Sequence, residues 1–154
     1  MFYMDKNTFR IYDQLSENEN ENDFFEVDEL IAPIIRILNL KGYLTEFCCS
    51  GHFDPIDEDE QYPATYIAFK AGIIIPSYPK NASFELTDQL MDGNLRCTIR
   101  YREFINNYDD DYYHNYYHIY DIILGVMREW LDWAINLPEY NKLESLKSLF
   151  SILE

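Results

Sequence analysis

The chain has 154 residues, enough for one domain with a substantial core and too few for two. Apolar residues make up 47% and aromatics 17%, which excludes disorder of the whole chain, and no apolar run approaches the roughly 18 residues of a membrane span. Twelve basic against 28 acidic residues leave a net charge of −16, which disfavours direct binding to nucleic acid or to an anionic membrane, since both rest on Lys and Arg neutralising phosphates.

Residues 1–15 show no clear period, and Ser16 to Asp23 form a low-complexity acidic run that cannot bury anything. The run reads as a solvated loop, which makes 1–22 the candidate appendage on a single domain spanning 1–154. Met1 to Arg10 lack the charged-then-apolar layout of a signal peptide, and three cysteines, two of them adjacent, do not form a disulfide framework. A reducing cytoplasm is the expected location.

Val27, Leu30, Ile31, Ile34, Ile35 and Leu38 recur at three- and four-residue steps, the stripe of an amphipathic helix. Asp23 or Asp28 can cap its start, and Gly42 suits a left-handed C-terminal position. Pro33 fits only a first turn, so the helix begins near Asp28 to Ala32 or kinks there. Tyr43 to Cys49 predicts a strand, Phe53 to Pro63 an acidic loop, and Thr65 to Lys70 a second strand. A connection punctuated by Pro76 and Pro79 follows.

Asp92-Gly93 predicts a hairpin with a two-residue turn. Its register sets Phe84 opposite Tyr101, Leu86 opposite Ile99 and Leu90 opposite Leu95, with Asp88 opposite Cys97 as a polar exception. The other face then carries Glu85 opposite Arg100, Thr87 opposite Thr98 and Gln89 opposite Arg96. After the acidic, tyrosine-rich stretch Tyr108 to Tyr120, a long helix is marked by Ile119, Ile123, Val126, Trp130, Ala134 and Leu137, and Pro138 ends it. A last helix near Glu139 to Leu153 carries Leu143, Leu146, Phe150 and Leu153 at helical spacing. Helix, strands and two further helices in that order imply an α+β fold, helices packed on one face of a mainly antiparallel sheet.

The most distinctive segment is Glu46-Phe47-Cys48-Cys49-Ser50-Gly51-His52. A thiol, a hydroxyl and an imidazole close together supply a nucleophile and a base, making Cys49, Ser50 and His52 the catalytic candidates, with Gly51 exposing backbone N–H groups to a ligand. Adjacent strand residues point to opposite faces, so Cys48 and Cys49 do not share one metal site. Two thiols packed as small hydrophobes beside a tight turn are the alternative. Arg96, Arg100 and Arg102 fall on one side of a strand and could hold a phosphate or carboxylate through bidentate bonds, or be consumed by the many acids. His114, His118 and Asp121 would share one face of a helix, as in a two-histidine, one-carboxylate metal site. The tyrosines from Tyr108 to Tyr120 suit either a recognition surface or packing. No phosphate loop, dinucleotide fingerprint, serine-hydrolase elbow or zinc-protease motif is present.

Lys41-Gly42-Tyr43-Leu44-Thr45, Cys49-Ser50-Gly51-His52 and Tyr66-Ile67-Ala68-Phe69 resemble a group of small uncharacterised bacterial and phage proteins that combine a K-G-Y-x-T strand, a C-S-G-H turn and a Y-I-x-F strand. The resemblance covers residues 28–70 and implies a shared α+β fold without an activity. Cys49-Ser50-Gly51 is also similar to the S-C-S-G-R turn of the tRNA wybutosine-synthesising methyltransferase-like family, which carries Arg where this chain has His52. The leading expectation is a small-molecule or anionic-ligand site, enzymatic or not, at the Cys49-Ser50-Gly51-His52 turn beside the arginine-bearing face. The competing one is an acidic protein-interaction or nucleic-acid-mimicking protein without catalysis.

Overall fold

The computed structural model describes residues 1–50, 65–88, 91–101 and 112–153, the side chains of 112–116 excepted. Strand β1 (Phe2–Asp5) pairs antiparallel with β2 (Ile11–Tyr12) on one side and β3 (Phe24–Val27) on the other. The turn after β1 closes because the Asp5 carboxylate accepts the N–H groups of Asn7 and Thr8 at 2.7 and 2.9 Å. Met4 is fully buried and joins the same core cluster as the helices. Within the acidic run, a single 3-10 turn, Glu21–Asp23, is capped by the Asn20 side chain.

Helix α1 (Ala32–Leu40) buries Ile34, Ile35 and Leu38, as its stripe requires, while Val27 closes β3 instead of opening the helix. Pro33 stands in the first turn, where no intrahelical N–H is lost. The N-cap is Ile31 without a side-chain cap, so neither Asp23 nor Asp28 caps the helix. At the other end Gly42 has φ +97°; its N–H donates to Asn39 O and the Tyr43 N–H to Leu38 O, closing the helix on a left-handed residue. A Cβ added at Gly42 would stand 2.9 Å from the Cβ of Tyr140.

The second sheet is fully antiparallel, with β4 (Thr45–Cys49), β5 (Tyr66–Phe69), β6 (Ala82–Thr87) and β7 (Arg96–Tyr101) in the order β4-β5-β7-β6. The hairpin register differs from expectation by two residues: Phe84 pairs with Ile99, Leu86 with Cys97 and Glu85 with Thr98. A two-residue slip keeps every side chain on its face, so the apolar and polar faces survive. It also sets Leu86 rather than Asp88 across from Cys97, which removes the polar exception. The turn is wider than two residues because the Asp88 carboxylate accepts the N–H groups of Asp92 and Gly93 at 3.1 and 2.9 Å.

Helix α2 (Tyr112–Asn136) buries Ile119, Ile123, Val126, Trp130 and Ala134, the expected stripe, with Leu137 buried just beyond it. Helix α3 (Lys142–Leu153) follows its expected apolar spacing only at Leu146, which packs against the core. It buries Ser145 and Leu149, while Leu143, Phe150 and Leu153 stay 61%, 56% and 52% exposed. Ser145 is 2% exposed and the Tyr43 ring fully buried, with the Tyr43 hydroxyl donating to Pro138 O at 2.8 Å. The architecture is α+β, with two antiparallel sheets and three α-helices sharing a core among the described residues. Among the described residues no helix is long and apolar enough to cross a membrane.

Candidate functional site

Strand β4 contains a bulge. Thr45 pairs with Phe69 and Phe47 with Ala68, so Glu46 is an extra residue without a counterpart on β5. Thr45 is buried and pairs with the core residue Phe69, whereas Glu46 and Phe47 are both exposed. Beyond the bulge the alternation is inverted. Cys48 packs against the core and Cys49 stands on the opposite face with Phe47. Without the extra residue, Phe47 and Cys49 would turn inward and Cys48 outward. The bulge therefore decides which thiol reaches the open face.

Cross-strand partners share a face, so pairing of Cys49 with Tyr66, Tyr66 with Arg100 and Arg100 with Ser83 makes one row across four strands. The Arg100 guanidinium lies 5.1 Å from the centre of the Tyr66 ring, a cation–π contact. The neighbouring row is Phe47, Ala68, Thr98 and Glu85. Phe47 is 57% exposed at one end of it, while the small residues Ala68 and Thr98 lie low between the strands. Arg96 is taken by Glu46 of the bulge at 2.8 Å. Among the described residues Arg100 has no carboxylate in ion-pair range, so the expected Glu85–Arg100 pair is not formed.

At the end of β4, Ser50 is buried and donates both its backbone N–H and its hydroxyl to Oδ2 of Asp28, at 3.1 and 3.3 Å. Its carbonyl accepts the Thr65 hydroxyl at 2.9 Å, and the Thr65 carbonyl accepts the Tyr101 N–H at 2.9 Å. Three strand ends are thus laced together where the chain continues into Gly51, His52 and Arg102, which lie outside the described residues. Burial first, then the Asp28 carboxylate, pushes the Cys48 thiol up to about 12, so it stays protonated and unreactive at neutral pH. Burial, and then the neighbouring thiols, also raise the Tyr66 hydroxyl, against the pull of Arg100.

Of the residues singled out from sequence, Cys49 and Arg100 come together on one face, and Arg96 joins them already paired. Ser50 is held by Asp28. His118 and Asp121 are exposed on α2; the His114 side chain lies outside the described residues, and no group of three potential metal ligands gathers among those described. Phe47, Tyr66 and Asp28 were not singled out. Asp28 reads as a helix cap until its contact with Ser50 is seen. The K-G-Y-x-T residues have structural work: the Lys41 ammonium donates to the carbonyls of Ala134, Ile135 and Leu137 at the end of α2, and the Tyr43 hydroxyl donates to Pro138 O. Thr45 exchanges two hydrogen bonds with Asn39. No family model, curated protein or solved structure matches this chain.

Proposed function

We propose that the open face of the four-stranded sheet, beside the Cys49-Ser50-Gly51-His52 turn, binds a small anionic ligand, with Arg100 as the anion contact. The observation that carries this reading is Arg100 itself. In a chain of net charge −16, an exposed guanidinium rests on an aromatic ring with no described carboxylate in ion-pair range. A planar fork held by stacking retains its donors for a phosphate or carboxylate oxygen pair. Arg96 stands nearby as a second cation, restrained by Glu46. Gly51, His52 and Arg102 enter the proposal through the residues they follow, Ser50 and Tyr101, which Thr65 ties together.

Any covalent chemistry at this site would fall to Cys49, which shares the ligand face, with His52 as its base. Cys48 is held protonated on the other side of the sheet. The three free thiols fit a reducing compartment, and we place the protein in the cytoplasm. The test is thermal unfolding with and without millimolar inorganic phosphate. The native protein should gain stability with phosphate and the Arg100→Gln variant should not, because a ligand stabilises only the state that binds it. Equal behaviour of the two proteins would refute the assignment.

A further inference from the structure

We infer that α3 is the contact through which this chain pairs with a second copy of itself, the two helices lying antiparallel about a twofold axis near Ser148. Leu143, Leu146, Phe150 and Leu153 recur at three-four-three spacing, the seam of a two-helix pair. That seam lies about a quarter turn round the helix from the buried Ser145 and Leu149, so the chain's own core does not cover it. Leu143, Phe150 and Leu153 are each more than half exposed, and only Leu146 is half-buried. A helix this short is marginal in water unless its apolar face packs against something.

Shape and charge select a second copy as the partner. The spacing reads the same in both directions, so an antiparallel copy sets Leu143 against Leu153 and the recessed Leu146 against the projecting Phe150, each pair twice by symmetry. A second copy is as acidic as the first, at −16, and approaches only where that charge is absent. Helix α3 carries Lys142 and Lys147 against Glu144, a balance of 2 − 1 = +1. Lys147, the cation beside the seam, stands 3.5 Å from Glu144 of its own helix. A basic protein would be drawn to the acidic surfaces elsewhere and not to this face. A helix of 12 residues is about 18 Å long and 10–12 Å wide, which covers less than the roughly 800 Å² per partner of a standard interface. The dimer is therefore reversible, with a micromolar or weaker dissociation constant.

Sedimentation equilibrium of the full chain between about 5 and 500 µM tests this. The average mass should climb from one chain towards two. Raising NaCl from about 50 to about 500 mM should tighten the association, because salt screens the repulsion between two acidic bodies. Phe150→Glu and Leu143→Glu should each raise the dissociation constant about tenfold or more, since the carboxylate then lies among apolar side chains. Both positions stand in solvent in the single chain, so the unfolding temperature at low concentration should barely move. Phe150→Met, which keeps the apolar bulk, should weaken the dimer far less than Phe150→Glu. A mass that stays at one chain throughout overturns the inference. So does a dimer that both Glu variants form as readily as the native protein, or one that salt dissociates.

Discussion

Oδ2 of Asp28 accepts both the backbone N–H and the hydroxyl of Ser50, joining the corner between β3 and α1 to the end of β4, twenty-two residues along the chain. Hydrogen bonds to a charged acceptor contribute about 1.5–3 kcal/mol, more than neutral ones. Replacing Asp28 with Ala should cost about 2 kcal/mol and lower the unfolding temperature by roughly 4–8 °C. Asp28→Asn should also make Cys48 easier to ionise, because the carboxylate is the second cause of its raised pKa. Burial, the larger cause, keeps that pKa above the ordinary thiol value. Alkylation of Cys48 against pH in a Cys49→Ser background, followed by mass spectrometry, reads the change.

Alkaline stability follows from two weak acids, the fully buried Tyr43 and the half-buried Cys48. Burial raises Tyr43 from 10.0 and Cys48 from 9.0, each to about 12. Between the ordinary and the raised values the unfolded chain has lost these protons and the native state has kept them. The unfolded state then binds fewer protons, so stability falls as pH rises. Denaturation midpoints should be unaffected by these groups below about pH 9 and decline from there towards pH 12. Tyr43→Phe should flatten the part of the decline above pH 10, and urea titrations at several pH values would show it.

Lys41 and Gly42 clamp the end of α1 to the link between α2 and α3. The ammonium reaches the carbonyls of Ala134 and Ile135 in the last turn of α2 and of Leu137 just beyond it, and a cation there also meets the negative end of the helix dipole. Lys41→Met should cost about 2 kcal/mol with little loss of packing. Gly42→Ala should be at least as harmful, since it combines the left-handed φ with the close Tyr140 contact. Thermal melts of both variants, with anion binding measured beside them, test that this motif serves the fold and not the ligand.

Glu46 restrains Arg96 at a partly exposed position, so the pair adds little stability, about 0–1 kcal/mol. Its effect is on the site. Glu46→Gln removes a negative charge beside the proposed ligand and frees a guanidinium for it. Phosphate affinity should rise several-fold while the unfolding temperature barely moves. A fall in affinity would show that Arg96 contributes only when held in place.

The sequence made legible whatever periodicity controls. The stripe of α2, the first-turn place of Pro33, the left-handed Gly42 and the division of the hairpin into apolar and polar faces all follow from spacing and backbone rules. What escaped has a common cause, one residue overriding a pattern. Asp88 widens the hairpin turn by wrapping its carboxylate around two N–H groups, which moves the register by two. Helix α3 turns Ser145 inward in place of Leu143 and Phe150, which stay in solvent. Glu46 breaks the alternation of β4 and exchanges the sides of its two thiols. Cys49 and Arg100 are visible as reactive types, but Tyr66, which joins them, stands in the sequence only as the first residue of the Y-I-x-F strand.

The guanidinium of Arg100 is the most direct reporter of the central claim. Its Nε–H resonance, followed by heteronuclear NMR during a phosphate titration, should shift in a saturable way, with the Tyr66 ring protons moving alongside. A signal that stays unmoved as phosphate rises, while resonances elsewhere respond or none does, would contradict an anion site on this face.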